Sequence, residues 1–362
     1  MALFGHLPPP TPPTAAASSS SSSSSRGTQA VGPLHPAVLG IGHRMASGLL
    51  VGANARARAM LDAFAAVVRD YATPPDAMLS RHLAQVLGAH ISYLSDVRPL
   101  TPGMGAAIRG LKHVVSSVAP DMPDPDAKEL IIEYIDTFIH ERITMAVASL
   151  SQLAMPKIKS GDVILTYGYS SSVASILRAV AASGLSFRAI VVDDPAAAAG
   201  AVGGVRMARD VLVPAGVPVT YVQLTGAGSA VRDASMVLLG ATGMLAHGGL
   251  LARAGTAAVA MLARARNVPV VVACETYKFS HAIHLDSIVF NELAPITPLG
   301  GATGGEESSA VKRLALVYDV TPPEFLTVVI TELGLMPVTS VPVVLREYKP
   351  LLESGGPLAV SS

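Results

Sequence analysis

The stretch with the clearest potential for chemistry is a short apolar run that ends in a glycine and three serines. Residues 161–177, GDVILTYGYSSSVASIL, predict a buried strand, a break at Gly168 and a helix that begins at the serines. Free backbone N–H groups at such a helix start attract phosphate, and the hydroxyls of Ser170, Ser171 and Ser172 could add hydrogen bonds. Serines are also ordinary helix caps. The pattern leaves both a phosphate site and a simple cap open, and without a Walker or G-x-G-x-x-G sequence at this turn it gives nucleotide binding no support.

A second candidate group follows a later apolar run. Cys274, Glu275 and Lys278 come directly after the sequence PVVVA, where a thiol could act as a nucleophile and the charged pair as acid and base. A cysteine at the end of a buried strand is more often an inert core residue. A glutamate and a lysine this close are more often a solvated ion pair. We expect the inert thiol and the solvated pair.

Two histidines have a spacing that could bind a metal. His281 and His284 are three residues apart, which allows both to ligate one ion if the segment is helical, and Asp286 follows closely. No further candidate ligands cluster around them in the sequence. We therefore expect no metal, and no other cofactor is indicated.

Arginines concentrate in the first folded region. Arg56, Arg58, Arg69, Arg98 and Arg109 make this region locally basic, although the formal net charge of the chain is zero. A solvated helix face is the simple explanation. The functional alternative is a docking surface for an acidic or phosphorylated partner, because guanidinium groups bind phosphate in a bidentate manner. On that hypothesis Arg56, Arg58 and Arg98 are the candidate partner-binding residues.

The elements that would position these groups change in character near residue 159. Before it, apolar residues recur at helical spacing, as between Asn54 and Tyr71. After it, continuous apolar runs such as FRAIVVDD and VPVVVAC alternate with helical patterns, which indicates a parallel sheet covered on both faces. SVPVVLREY, residues 340–348, predicts a final strand. The predicted fold class is α/β: an N-terminal helical domain followed by a Rossmann-like, mainly parallel sheet domain.

Four segments are predicted along the chain. The run PPPTPPTAAASSSSSSSS has almost nothing to bury and predicts a disordered low-complexity tail over residues 1–33. Its composition also resembles a transit peptide, but no lysine or arginine precedes Arg26, so we prefer the tail. The helical domain is predicted over 34–155, the Rossmann-like domain over 156–350 and a flexible C-terminal tail over 351–362.

Composition narrows the classes of partner. Half of the 362 residues are apolar and 14% are charged, against roughly 25% charged in an average soluble domain. That balance favours wide buried contacts, within the chain or with other subunits. The zero net charge argues against nucleic acid or an anionic membrane as a direct partner. No apolar run approaches the roughly 18 residues of a membrane span, so we expect a soluble protein, and the single cysteine fits a reducing compartment.

The C-terminal part carries the most specific pattern in the chain. LALVYDVTPPEFLTVVITELGLMPVTSVPVVLREY, residues 314–348, closely resembles the end of the delta-subunit family of eukaryotic translation initiation factor 2B. VGANARARAMLDAFAAVVRDYATPP at 51–75, RPLTPGMGAAIRGL at 98–111 and NVPVVVACETYKF at 267–279 are similar to the same family in the same order. The resemblance covers roughly residues 35–349.

This resemblance implies a fold, a role and partners. The family has a helical domain followed by a Rossmann-like domain. Alpha, beta and delta subunits form a cytosolic regulatory core that carries gamma and epsilon subunits, and epsilon exchanges guanine nucleotide on initiation factor 2. The core senses phosphorylation of the alpha subunit of that substrate, the signal of the integrated stress response. A noncatalytic regulatory subunit is therefore the function that the resemblance implies.

The same superfamily includes isomerases of methylthioribose-1-phosphate and ribose-1,5-bisphosphate, which supply the alternative function. Their motifs are similar to ILTYGYSSSVA and LLGATGMLAHGGLLARAGT, and they place a catalytic cysteine at Gly168 and an aspartate at Thr242. Neither residue present here can replace the lost group, because glycine has no side chain and threonine is a poor base. The resemblance thus implies a vestigial pocket at Gly168, Ser170, Ser171, Ser172 and Thr242. The family's sugar-phosphate arginine is also missing from the stretch that holds Pro195, Ala196, Ala199 and Gly200.

Overall fold

The computed structural model of the chain describes residues 34–194, 203–284, 286–288, 290–294 and 314–347. The predicted tails over 1–33 and 351–362 lie outside these residues. So do Pro195, Ala196, Ala199 and Gly200, the positions at which the sugar-phosphate arginine is missing.

The described chain begins with helices whose buried residues follow the predicted spacing. These helices are α1 (Pro36–Ala46), α2 (Ala53–Asp70), α3 (Leu79–Val97), α4 (Pro102–Ser117) and α5 (Asp124–Thr137). In α2, Met60, Leu61 and Phe64 are fully buried, because residues three and four apart share one face of a helix. Thr101 accepts a hydrogen bond from the Met104 N–H and caps α4, with proline in the first turn.

One long helical element connects the two regions of the fold. Helix α5 continues through a π-helical segment (Phe138–Met145) into α6 (Ala146–Ala154). Ile143 still belongs to the core of the helical region. Leu150 already belongs to a core formed with the sheet. The packing therefore changes from one core to the other inside this element, upstream of the division predicted at residue 155.

The second region is built on a seven-stranded sheet. Its strands lie in the order β11-β10-β7-β4-β1-β2-β3. All pairings are parallel except that of β10 with β11. The members are β1 (Val163–Tyr167), β2 (Arg188–Asp193), β3 (Val219–Gln223), β4 (Met236–Gly240), β7 (Val270–Ala273), β10 (Val328–Thr331) and β11 (Gly334–Met336). A helical N-terminal region followed by a mainly parallel sheet confirms the predicted fold class.

The central strands are apolar at successive positions because both faces of the sheet are covered. Val163 and Leu165 of β1 point into one core, and Ile164 between them points into the other. The helices that follow the first strand are α7 (Ser171–Ala182), α8 (Gly204–Arg206), α9 (Ala227–Ala230), α10 (Thr256–Ala265) and α11 (Val341–Glu347). In the described residues no helix has the length and hydropathy to cross a membrane.

Two features of the sheet region differ from the sequence prediction. A small second sheet has the order β8-β5-β6-β9; its strands are β5 (Gly243–Leu245), β6 (Leu250–Arg253), β8 (Phe279–Ser280) and β9 (Tyr318–Thr321). The predicted final strand over 340–348 is wrong, because this stretch forms α11. Val341, Val344 and Leu345 are buried at helical spacing. Pro342 has no N–H for a sheet ladder and is tolerated in the first turn of a helix.

Candidate functional site

The candidate site lies where the order of strands reverses. The chain runs from β1 to β2 and β3 on one side of the sheet, and β4 then pairs with the other side of β1. Ligands of open α/β sheets bind at the carboxyl ends of strands at such a point. A cavity of about 1120 Å³ opens there, between the helical region and the sheet. Tyr167, Tyr169 and Thr242 line it, and they surround the ends of β1 and β4.

Gly168 ends β1 in a conformation that suits glycine. Its φ of +61° lies in the left-handed region, which L side chains adopt at a cost. A Cβ placed there would lie 3.7 Å from Nη1 of Arg253, so there is room for a side chain but a strained backbone. Thr242 bonds through its N–H to the Leu251 carbonyl at 2.9 Å. Gly168 and Thr242, the two catalytic positions on the isomerase alternative, thus follow neighbouring strands and contribute no carboxylate or thiol.

The three serines point in different directions. Ser170 accepts a hydrogen bond from the Val173 N–H at 3.5 Å and caps α7. Ser171 is exposed, lines the cavity and accepts from Nδ2 of Asn54 at 3.3 Å. Ser172 is buried and donates to Oε1 of Glu275 at 2.6 Å. They therefore do not converge on one ligand; phosphate binding here stays a prediction that rests on Ser170 and Ser171.

Arginines from both regions line the cavity. Arg206 lies 4.3 Å above the ring of Tyr169, a contact that holds a guanidinium by its attraction to the aromatic face. Arg253 contributes from β6, and Arg58 contributes from α2. Arg58 is exposed and donates to Oγ1 of Thr144 at 2.7 Å. The cavity wall can therefore attract an anion, although its acidic members Asp96 and Glu292 offset part of that charge.

Two of the three candidate partner-binding arginines act inside the chain instead. Arg56 is 1% exposed; it donates to the Pro99 carbonyl at 2.6 Å and lies 3.7 Å from Oε1 of Glu292. Arg98 is largely buried and donates to Oε2 of the same glutamate at 2.7 Å. In this conformation a partner cannot reach Arg56. Of the three candidates, the exposed Arg58 is therefore the one that we still expect to contact a partner.

The group after β7 is buried, contrary to the expectation of a solvated pair. Glu275 is 0% exposed and Lys278 is 2% exposed, and Nζ of the lysine lies 2.5 Å from Oε2 of the glutamate. Burial would raise the pKa of Glu275, but the ammonium and the hydrogen bonds from Ser172 and Asn54 outweigh it, so this pKa is lowered. Burial raises the pKa of Cys274 well above its ordinary value, which makes the thiol inert as expected.

Sequence reasoning missed the residue that joins this group to the helical region. Asn54 donates from Nδ2 to Oε1 of Glu275 at 2.8 Å, and its Oδ1 accepts from the Tyr277 hydroxyl at 2.6 Å. Tyr277 also packs into the helical core, with its ring edge against Phe138 at 5.8 Å. Asn54 lies at the start of a stretch with helical spacing, and no local pattern indicates its distant partners.

The histidine pair does not form a chelating arrangement. The segment that contains His281 and His284 is not helical, so the spacing of a ligand pair on one helix face does not arise. The ring of His284 instead stacks on Phe290 at 4.7 Å. Across the described ranges, no group of three or more histidine, cysteine, aspartate or glutamate side chains could hold a metal ion.

A carboxylate from β9 caps the helix beside the cavity. Oδ2 of Asp319 accepts from the N–H groups of Gly255 at 2.8 Å and Ala257 at 2.9 Å, at the start of α10. A carboxylate at a helix N-terminus interacts favourably with the helix dipole. Burial nevertheless dominates and raises the pKa of Asp319 to about 6, while the backbone hydrogen bonds lower it.

The raised pKa of Asp319 predicts a pH dependence of stability. The folded chain binds this proton more tightly than the unfolded chain, where the pKa is the ordinary 3.8. The stabilisation is therefore complete below about pH 4 and is lost as the pH rises through about 6, by about 2–3 kcal/mol. Asp319→Asn keeps an oxygen for both N–H groups and removes this titration. We expect urea unfolding at a series of pH values to show that the free energy of unfolding depends less on pH in the variant than in the original chain. The same pH dependence in both would contradict the prediction.

Comparison with known proteins finds one family model and relatives that agree with it. The Initiation factor 2 subunit family matches residues 50–338. The chain is 40% identical over 328 residues to translation initiation factor eIF2B subunit delta of Schizosaccharomyces pombe, and the match covers 87% of this chain and 69% of that protein. The Dictyostelium discoideum subunit delta is 38% identical; the match covers 88% of this chain but 52% of that protein. The chain thus corresponds to a part of each of these longer relatives.

A solved structure and a more distant enzyme complete the comparison. A chain of the tetrameric eIF2B-beta2-delta2 complex from C. thermophilum superposes with a TM-score of 0.77 and is 36% identical, with 92% of this chain and 97% of that chain covered. Ribose 1,5-bisphosphate isomerase of Haloferax volcanii is 27% identical over 300 residues, which cover 80% of this chain and 87% of the enzyme. Similarity to the delta subunits therefore clearly exceeds similarity to the isomerase.

Proposed function

The chain belongs to the Initiation factor 2 subunit family, and we propose that it is a noncatalytic, delta-type regulatory subunit of the translation initiation factor 2B exchange complex. The observation that carries this proposal is the 40% identity to a delta subunit over 87% of the chain. The resemblance to delta subunits that the sequence predicted is confirmed by the same match. In this role the chain helps the complex reload initiation factor 2 with GTP and sense phosphorylation of its alpha subunit.

The proposed partners are the beta, alpha, gamma and epsilon subunits and initiation factor 2, in the cytosol. A C. thermophilum complex of beta and delta chains supports beta as a direct neighbour. The low charged fraction of 14% supports wide buried contacts. The exposed Arg58 on α2 is the residue we assign to contact with the substrate, and the apolar sheet region is assigned to contacts between subunits.

The cavity at Gly168 and Thr242 is proposed to be vestigial. Isomerisation of a sugar phosphate needs groups that move a proton at the substrate, and neither position offers one. Two of the three serines nearby serve the fold, since Ser170 caps α7 and Ser172 bonds Glu275. We expect no turnover of ribose 1,5-bisphosphate by the purified chain; measurable turnover would favour the isomerase alternative.

Co-expression tests the assembly role. We expect the chain alone to self-associate or to be poorly soluble, because its low charge leaves apolar surface without a partner. Together with a beta-type subunit it should give a complex of defined mass, measurable by native mass spectrometry. A stable monomer that ignores both beta and alpha subunits would contradict the proposal.

The same complex tests the role of Arg58. Arg58→Glu should weaken binding of phosphorylated initiation factor 2 by about tenfold. The change replaces a cation that can pair with the phosphate group by a carboxylate, which the phosphate group repels. Arg178→Glu is the matched control, since it makes the same charge change at an exposed position of α7. Equal losses in both variants would show that net charge, not position, determines binding.

A further inference from the structure

We propose that the segment Glu275–Lys278, which we call the ETYK latch, holds the helical region on the sheet region through Asn54. Breaking the contacts to Asn54 lets the start of α2 move away from this segment while each core stays folded, and the pairs of Arg56 and Arg98 with Glu292 still join the two regions elsewhere. The inference concerns the fold of this chain and does not depend on the proposed function.

The contacts of the latch cross between the two regions. Asn54 lies in the first turn of α2, and Glu275 and Tyr277 follow β7. One side chain of the helical region thus donates to Glu275 and accepts from Tyr277, at 2.8 and 2.6 Å. Gly103 of α4 makes room for the tyrosine, because a Cβ there would lie 2.6 Å from Cε2 of its ring. The phenol therefore fits into the helical core as its hydroxyl reaches Asn54.

The latch is also fixed on the sheet side. Glu275 accepts from Ser172 on α7 at 2.6 Å and pairs with Lys278 at 2.5 Å. Lys278 donates to the Ala241 carbonyl after β4 at 3.3 Å. Glu332, which follows β10, accepts from the Thr276 N–H at 3.1 and 3.0 Å. The loop is thus held to three places in the sheet region, and Asn54 is its polar connection to α2.

The burial of these groups makes the latch a two-state element. A buried polar group that loses its partner costs about 1–3 kcal/mol, so intermediate positions with unpaired groups are disfavoured. Either the bonds to Asn54 are formed, or the start of α2 and the latch move apart far enough for water to reach the polar groups on both sides. Such sub-global openings occur at lower free energy than complete unfolding.

The latch borders the cavity, so a molecule bound there can affect whether the latch is closed or open. Asn54 and Lys278 both line the cavity between the two regions. Arg58 lies four residues after Asn54 on α2 and lines it too, so the two residues share one face of that helix. A molecule that contacts Arg58 or enters the cavity therefore acts on the element that carries Asn54, and changes the balance between closed and open forms.

Hydrogen exchange of the full chain in its subunit complex tests the latch. Asn54→Ala should speed exchange at the amides of Thr276 and Lys278 by about tenfold, because it removes the bonds of Asn54 to Glu275 and Tyr277. Exchange in the core strands β1 and β2 should stay unchanged. Ser172→Ala is the matched control: it removes a bond to the same oxygen of Glu275, but from within the sheet region, and should leave these amides within about twofold of the original rates.

Tyr277→Phe provides a milder variant that keeps the ring in the helical core. It removes the bond to Asn54 alone and should speed the same amides by less than Asn54→Ala. The proposal is overturned if neither variant changes these amides, if Ser172→Ala changes them equally, or if exchange rises evenly over the whole chain. The last result would show that Asn54 contributes to global stability and not to a contact between two regions.

Discussion

Glu275→Ala is expected to lower the free energy of unfolding by about 3–5 kcal/mol, because it leaves the ammonium of Lys278 buried without its counter-charge. The lysine is 2% exposed, and its other hydrogen bond, to the Ala241 carbonyl, is 3.3 Å long. The hydroxyl of Ser172 and the amide of Asn54 lose their acceptor at the same time. Urea unfolding followed by circular dichroism measures the change. Glu324→Ala at an exposed position should cost less than about 0.5 kcal/mol.

A double variant separates charge from hydrogen bonding. Glu275→Leu combined with Lys278→Met removes both charges and should cost less than Glu275→Ala alone, because replacing a buried pair by apolar residues avoids the unpaired ion. If the double variant is as unstable as the single one, the lost bonds from Ser172 and Asn54 dominate and the ion pair contributes little.

The main helices and strands were predictable because the surfaces that they bury determine where apolar residues recur along the sequence. Residues of β1 alternate between two cores, so Val163, Ile164 and Leu165 are apolar at successive positions, whereas α2 is apolar on one face only. These patterns are local consequences of which surfaces are covered. The helix start after Ser170 was readable for the same reason, since a cap acts on a backbone N–H three residues away.

Two features of the sheet region, the helix α11 and the small second sheet, were not predictable from local composition. The valines of SVPVVLREY favour a strand, but burial of Val341, Val344 and Leu345 on one side selects a helix. The small sheet was missed because its strands, such as β8 (Phe279–Ser280), are too short to show alternation. Tertiary packing decides the structure in both cases.

The different exposure of the two α2 arginines, Arg56 and Arg58, was predictable from helical spacing. Arg56 is four residues before the fully buried Met60, and Arg58 is four residues before the exposed Asp62. Helical spacing thus places Arg56 on the core face and Arg58 on the solvent face. The contact of Asn54 with Glu275 had no such signal, because 221 positions separate the two residues.

Gly255→Ala is the second change with a large expected effect, about 3–5 kcal/mol of lost stability. Gly255 precedes α10 with a φ of +101°, a conformation that costs an L residue about 1–2 kcal/mol. A Cβ there would also lie 2.3 Å from the hydroxyl oxygen of Tyr167 and 2.7 Å from its Cζ. The collision adds about 1–3 kcal/mol as the ring shifts, and the Tyr167 bond to the Ala254 carbonyl at 2.6 Å is lost with it.

Gly184→Ala separates the two causes. Gly184 also has a positive φ, +81°, but nothing lies within 4 Å of a Cβ at this position, so its cost should be the backbone strain of about 1–2 kcal/mol. If the collision at Gly255 is real, Tyr167→Phe should reduce the cost of Gly255→Ala, because it removes the atom that the new methyl group meets first. Equal costs at Gly184 and Gly255, or an unchanged cost in the Tyr167→Phe background, would exclude the collision and leave strain as the whole effect.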